Sequence, residues 1–228
     1  MTPSRLGNAN APTLLAIDTT HECGSMAIAR GEEIVEELAL RAPDGFAHVI
    51  YGHLERLLER NSIRLRDMDC FASASGPGSF TGVRVGLACV KGLAEACGKP
   101  AVAVSNLQAL AAFGSGPLRA AVMDARRGEV FGAVYNSAGE AVGPEVVAKF
   151  APWLETLPAD VEFVSQDFQP ELEGTRFEGA RIVTAPHVLA GAIARIACAR
   201  FLRGEKTDPA ALDANYVRRS DAELFWKE

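Results

Sequence analysis

The densest run of chemistry-bearing residues is Ser75-Gly76-Pro77-Gly78-Ser79-Phe80-Thr81-Gly82-Val83-Arg84-Val85-Gly86, a glycine-rich loop between an apolar run and a helical pattern. Such a loop can cradle an anion, because backbone N–H groups and a helix dipole point at it and glycine lets the chain approach. It is not a Walker loop, since no Gly-Lys-Ser or Gly-Lys-Thr follows at the required spacing. A second reading rests on spacing: Gly78, Gly82 and Gly86 recur every four residues and share one face of the helix. That face either receives a partner helix at close range or packs on the chain's own sheet, and spacing alone favours neither. Two polar turns also follow apolar runs, Asp18-Thr19-Thr20 and Asp124-Ala125-Arg126-Arg127-Gly128-Glu129. Arg126 and Arg127 suit an anion or a partner's carboxylates, and a solvated hairpin turn explains them as well.

Metal and nucleophile chemistry find little support. His48 and His53 are five residues apart on a helical pattern, which turns them to different faces, and His21 and His187 stand alone. No cysteine pair has zinc-site spacing, and no Gly-x-Ser-x-Gly surrounds a serine. The expectation is no catalytic residue and no metal site.

The elements that must position these residues follow one plan twice. An apolar run over residues 13–17 ends at Asp18, and strand-like runs follow over 24–29 and on to Leu40. Residues 118–123 end likewise at Asp124, with strand-like runs over 129–135 and 141–147. The first half continues with a helix carrying Phe46, Ile50, Leu54 and Leu57, a strand over 70–74, and a long helix after Gly78. Ser79 reads as that helix's N-cap, and Gly98 with Pro100 as its stop, before a strand over 101–104. The second half echoes this with a helix over 151–157, a strand over 161–165 and a helix over 186–201. Strands alternating with helices predict an α/β protein of two lobes, each a mixed sheet flanked by helices. We divide the chain into a flexible tail over 1–12, a first, partner-binding lobe over 13–105, a second over 106–207, and a C-terminal segment over 208–228. That last segment, with Arg218, Arg219, Phe225 and Trp226, is expected to pack back on the first lobe.

Composition bounds the function. The 228 residues carry a net charge of −6, which opposes a free-standing nucleic-acid binder, because such affinity comes mainly from neutralising phosphates. The five cysteines, an odd number lying mostly in apolar runs, fit a reducing cytoplasm. Residues 1–12 lack a signal-peptide core, and no apolar run is long enough to span a bilayer, so no membrane association is expected.

Taken together, Leu15-Ala16-Ile17-Asp18-Thr19-Thr20, Gly76 through Ala88, Asp124 through Val130 and the closing Asn215-Tyr216-Val217-Arg218-Arg219-Ser220 resemble the TsaB (YeaZ) family in order and spacing. The resemblance implies a duplicated actin-like (ASKHA-type) fold in a non-catalytic scaffold. Such a scaffold binds the paralogue TsaD and the ATPase TsaE in forming N6-threonylcarbamoyladenosine beside the anticodon of tRNAs that read codons beginning with A. It implies a heterodimer with TsaD, a homodimer when alone, and tRNA reached only through the complex. No cofactor is expected on this chain alone, with ATP or ADP at the shared interface left open. The partner interface would be Gly76, Pro77, Gly78, Ser79, Phe80, Thr81, Gly82, Arg84 and Gly86. Asp18 stands where actin-like ATPases and sugar kinases begin their first phosphate loop, but Thr19 and Thr20 replace the glycine there. Asp18, Thr19, Thr20, Asp124, Arg126 and Arg127 are thus read as a vestigial nucleotide loop or anion contact. TsaD carries a His-x-x-x-His metal pair where this chain has Asn106 and Leu110, which opposes the alternative of a TsaD-like metallopeptidase. The crowded turn opposes a small kinase.

Overall fold

The computed structural model of the chain describes residues 11–205 and 208–218. The apolar run TLLAID forms β1 (Thr13–Asp18), buried from its second residue onward, and so has the makings of a central strand. β2 (Cys23–Arg30) and β3 (Glu33–Arg41) follow as an antiparallel meander. α1 (Ile50–Asn61) buries Ile50, Leu54 and Leu57, residues spaced to share one face. Then come β4 (Cys70–Ala74), buried throughout, α2 (Phe80–Cys97) and β5 (Ala101–Val104), both strands running parallel to β1. The sheet order is β3-β2-β1-β4-β5.

After α3 (Asn106–Ala111) the plan repeats. β6 (Leu118–Arg126), β7 (Glu129–Asn136) and β8 (Val146–Lys149) form the meander, α4 (Phe150–Leu154) follows, and β9 (Val161–Ser165) and β10 (Ile182–Thr184) add the parallel strands. The order β10-β9-β6-β7-β8 is the first sheet's order again, with β6 in the place of β1. No helix among the described residues is long and apolar enough to cross a membrane.

The chain forms two compact units. Of the described residues, those up to Ser75, Ser79–Val104 and Val188–Ala214 make one; Gly76–Gly78, Ser105–His187 and the residues from Asn215 make the other. This corrects the expected second lobe over 106–207, because α5 (Ala190–Leu202) belongs to the first unit. Its start is held there: Leu189 and Ala190 N–H donate to Ser25 Oγ at 3.2 and 3.0 Å, and Gly191 N–H to Glu37 Oε1 at 2.7 Å. Arg200 Nη1 donates to the Ala103 carbonyl at 2.8 Å. The C-terminal segment divides. Leu212 joins the first unit's core, whereas Asn215 donates to Glu145 at 2.6 Å within the second unit. Phe225 and Trp226 lie outside the described residues, as does the expected tail up to residue 10.

In the second unit the buried Glu162, 5% exposed, organises the turn before β6. Ser115 and Gly116 N–H donate to its Oε2 at 2.6 and 2.9 Å, and Arg181 Nη1 lies 3.0 Å from its Oε1. Burial raises the carboxyl's proton affinity, but the Gly116 and Ser115 N–H groups and the Arg181 charge outweigh it and hold Glu162 below the usual glutamate range. With the folded value below the unfolded one, Glu162 stabilises fully above the unfolded value of about 4.3, and that contribution is lost as pH falls through the folded value. Glu162→Gln should therefore cost about 1.5–3 kcal/mol at neutral pH and flatten the acid decline of stability. Thermal denaturation between about pH 7 and pH 3 checks this, and an acid profile unchanged from the parent would contradict it.

Candidate functional site

The turn that ends β1 is sealed. Asp18, Thr19 and Thr20 are each 1% exposed. Asp18 Oδ1 accepts from Thr20 N at 2.9 Å and from Thr20 Oγ1 at 2.6 Å, so the aspartate closes the turn on itself. Two further bonds fasten α2 over it: Thr19 Oγ1 donates to the Gly82 carbonyl at 2.7 Å, and Ser79 N–H donates to the Thr20 carbonyl at 2.7 Å. Ser79 also caps α2, its Oγ accepting from Gly82 N–H at 3.3 Å, and Gly98 at φ 62° ends the helix.

The glycines make this closeness sterically feasible. A Cβ on Gly82 would stand 1.9 Å from the Thr19 carbonyl oxygen, and one on Gly86 2.7 Å from Thr19 Oγ1 and 3.2 Å from Ser73 Oγ. Gly82 and Gly86 are buried, and Gly78 precedes the helix, so the bare face read from their spacing packs on the chain's own turn and sheet. That corrects their placing as exposed interface residues. Gly76 and Pro77 are buried as well, while Ser79, Phe80, Thr81 and Arg84 are exposed. The outer face of α2 is a different set. Ala88, Gly92 and Ala96 recur every four residues and are all exposed, on a row of α2 separate from that of Gly82 and Gly86. The signal was present: the inner row continues into apolar Val90 and Ala94, whereas the outer row runs beside Arg84 and Glu95. Arg84 stacks on Phe80, its guanidinium carbon 3.6 Å from the ring centroid. Tyr51, 59% exposed on α1, hydrogen-bonds Cys89, whose thiol burial pushes up to about 11, so it stays protonated at neutral pH.

The other expected residues fall into two places, both in the second unit. Asn106 is fully buried, its Oδ1 accepting from Gly76 N–H at 3.0 Å while its own N–H donates to the Gly76 carbonyl at 2.9 Å. It holds the glycine-rich loop, and Leu110 is a core residue. The Asp124 turn copies the Asp18 turn, Asp124 Oδ1 accepting from Arg126 N–H at 2.7 Å, but Asp124, Arg126 and Arg127 are exposed. Arg126, Arg127 and Gly128 have φ of 62°, 56° and 69°. For a side-chain-bearing residue this left-handed backbone costs roughly 1–2 kcal/mol. Lys149 Nζ donates to the Arg127 carbonyl at 2.7 Å, and Arg218 braces the turn through the Ala125 carbonyl at 2.9 Å and through Glu129.

A family model described as TsaD, tRNA N6-adenosine threonylcarbamoyltransferase, matches residues 41–191. The transferase of that name from Rhizobium meliloti (strain 1021) is 40% identical over 75 residues, but these cover 33% of this chain and only 20% of that protein. The tRNA threonylcarbamoyladenosine biosynthesis protein TsaB of Bacillus subtilis (strain 168) is 31% identical over 233 residues, covering 95% of this chain and 98% of that one. The chain belongs to the TsaB family. A solved structure of YeaZ from Pseudomonas aeruginosa superposes with a TM-score of 0.70 at 28% identity, covering 90% of this chain and 99% of that one. The repeated mixed sheets are accordingly a duplicated actin-like α/β fold.

For this TsaB-family chain the two rows of α2 make opposite forecasts. Gly82→Ala drives a methyl into the Thr19 carbonyl and should destabilise by about 3 kcal/mol or more. Gly92→Ala, where a Cβ meets nothing within 4 Å, should stabilise by about 0.8–1 kcal/mol through helix propensity alone. Urea denaturation of both variants is the check, and a Gly82→Ala protein as stable as its parent would contradict the sealed turn.

Proposed function

We propose that this chain is a non-catalytic subunit that binds and activates TsaD, together with the ATPase TsaE. The complex forms N6-threonylcarbamoyladenosine beside the anticodon of tRNAs that read codons beginning with A. The observation that carries this reading is the seal over Asp18-Thr19-Thr20: with Gly82 against the Thr19 carbonyl, no space remains for a triphosphate where an actin-like ATPase would hold one. Asn106 and Leu110, where TsaD has its histidine pair, are occupied in holding a loop and filling a core.

What remains for a partner is the outer side of α1 and α2. Tyr51 and Phe80 offer exposed rings, Arg84 a stacked cation, and Ala88, Gly92 and Ala96 a row low enough for a partner helix to approach closely. Carrying the partner interface on this row keeps Ser79, Phe80, Thr81 and Arg84 in it and moves Gly82 and Gly86 behind it. The same face serves a homodimer when TsaD is absent, and ATP or ADP, if held at all, is held with the partner at the joint surface. The protein acts in the cytoplasm and meets tRNA through the complex.

Gly92→Arg tests this, because the new side chain projects into solvent in the free chain. We expect an unchanged melting temperature, a loss of TsaD affinity of at least about tenfold, and a matching loss of threonylcarbamoyladenosine in a reconstituted reaction. A folded variant that binds TsaD as its parent does and supports full modification would contradict the interface.

A further inference from the structure

β3 is the outermost strand of the first unit's sheet, and among the described residues no strand pairs with its free side. Which of its residues offer backbone groups there follows from the ladder. Gly31 N–H donates to the Pro12 carbonyl, and antiparallel bonds alternate, so Ala29, Ala27 and Ser25 turn their backbone groups to β1 while Ile28, Met26 and Gly24 turn theirs to β3. The partners of those three are Glu36, Leu38 and Leu40. Glu37, Ala39 and Arg41 therefore point N–H and C=O outward, and all three are exposed. The bulge beside Ile28 and Ala29 ends this regular edge before Glu36. A cavity of about 510 Å³, bounded by Leu38 and Ala39 and by His53, Arg56, Glu59 and Arg60 of α1, lies against the edge and leaves it open.

We propose that β3 pairs antiparallel with β3 of a second copy of this chain, across a two-fold axis at Ala39. An open edge is a template for any strand, but the charges here select one register. With Ala39 opposite Ala39, Glu37 of each copy faces Arg41 of the other on both sides of the axis, and every outward-pointing residue exchanges N–H···O bonds with its opposite. On the other face of the strand the half-buried Leu38 lies opposite Leu40 of the second copy. Moving the axis by one residue sets Ala39 against a charge and loses both ion pairs. Moving it by two sets Glu37 against Glu37 or Arg41 against Arg41, which like-charge repulsion opposes. Gly191 N–H already donates to Glu37 Oε1 at 2.7 Å, which holds the carboxylate in place and leaves it able to accept from a guanidinium as well. The pairing uses no residue of the outer α2 row and does not depend on the subunit reading.

The test is sedimentation velocity of the full chain over a range of concentrations, with Gly92→Arg present throughout so that the outer row of α2 is blocked. This protein should dimerise as its concentration rises. Ala39→Pro removes an outward N–H that β2 does not use, and proline is tolerated on edge strands, so the β2–β3 ladder should survive. Arg41→Glu sets two carboxylates against each other on both sides of the axis, whereas Arg41→Lys keeps the charge pattern. Ala39→Pro and Arg41→Glu should each weaken self-association by at least about tenfold at an unchanged melting temperature, and Arg41→Lys should retain most of it. A chain that stays monomeric at every concentration overturns the pairing, as does a dimer indifferent to both Ala39→Pro and Arg41→Glu. Indifference to Arg41→Glu alone overturns the register at Ala39.

Discussion

Everything in the first unit depends on how closely α2 lies on the turn after β1. The Gly82 Cα sits where a single added methyl would come within 1.9 Å of the Thr19 carbonyl oxygen, so the helix can rest there only because the residue has no side chain. Once seated, it is fixed by Thr19 and Ser79 hydrogen bonds at its first turn, and Val83, Leu87, Val90 and Leu93 fill the core behind it. Burial of this apolar row stabilises the lobe, and the seat orients the opposite row toward solvent. The same close approach thus closes the turn after β1 and fixes which face of α2 looks to solvent.

The duplication sets one kind of turn in two different surroundings. Both sheets place a central strand ending in an aspartate that binds the backbone N–H two residues on, at Asp18 and at Asp124. In the first copy a glycine-bearing helix covers the turn. In the second, no helix among the described residues stands between β9 and β10, where α2 stands between β4 and β5, and the left-handed arginines of the exposed turn are supported by Lys149 and Arg218. The same local geometry thus lies sealed under a helix in one lobe and stands at the surface in the other.

Much of this is legible in the sequence, for local reasons. The apolar runs ending at Asp18 and Asp124 mark the two central strands, and Ser79 with Gly98 bounds α2 to within a residue, because caps and left-handed stops are local chemistry. What spacing cannot supply is direction in space. It puts Gly82 and Gly86 on one face without saying whether that face looks in or out, and only the apolar continuation to Val90 and Ala94 marks it as inward. α5 shows the same limit: periodicity announces a helix, but its bonds to Ser25 and Glu37, more than a hundred residues earlier, are tertiary. β10, at three residues, is too short to carry a pattern. α3 has only six, too few for a helical period to stand out, although Ser105 caps it by accepting from Leu107 N–H at 3.1 Å.

Amide hydrogen exchange on the purified chain, alone, with ATP, and with TsaD, tests the sealed turn and the outward face together. The Thr20 amide, bound to Asp18 beneath α2, should exchange slowly in the free chain and stay so with ATP, while TsaD should add protection to peptides covering Ile50–Asn61 and Phe80–Cys97. Protection at residues 18–20 that responds to ATP in the chain alone, or α1 and α2 peptides indifferent to TsaD, would contradict it.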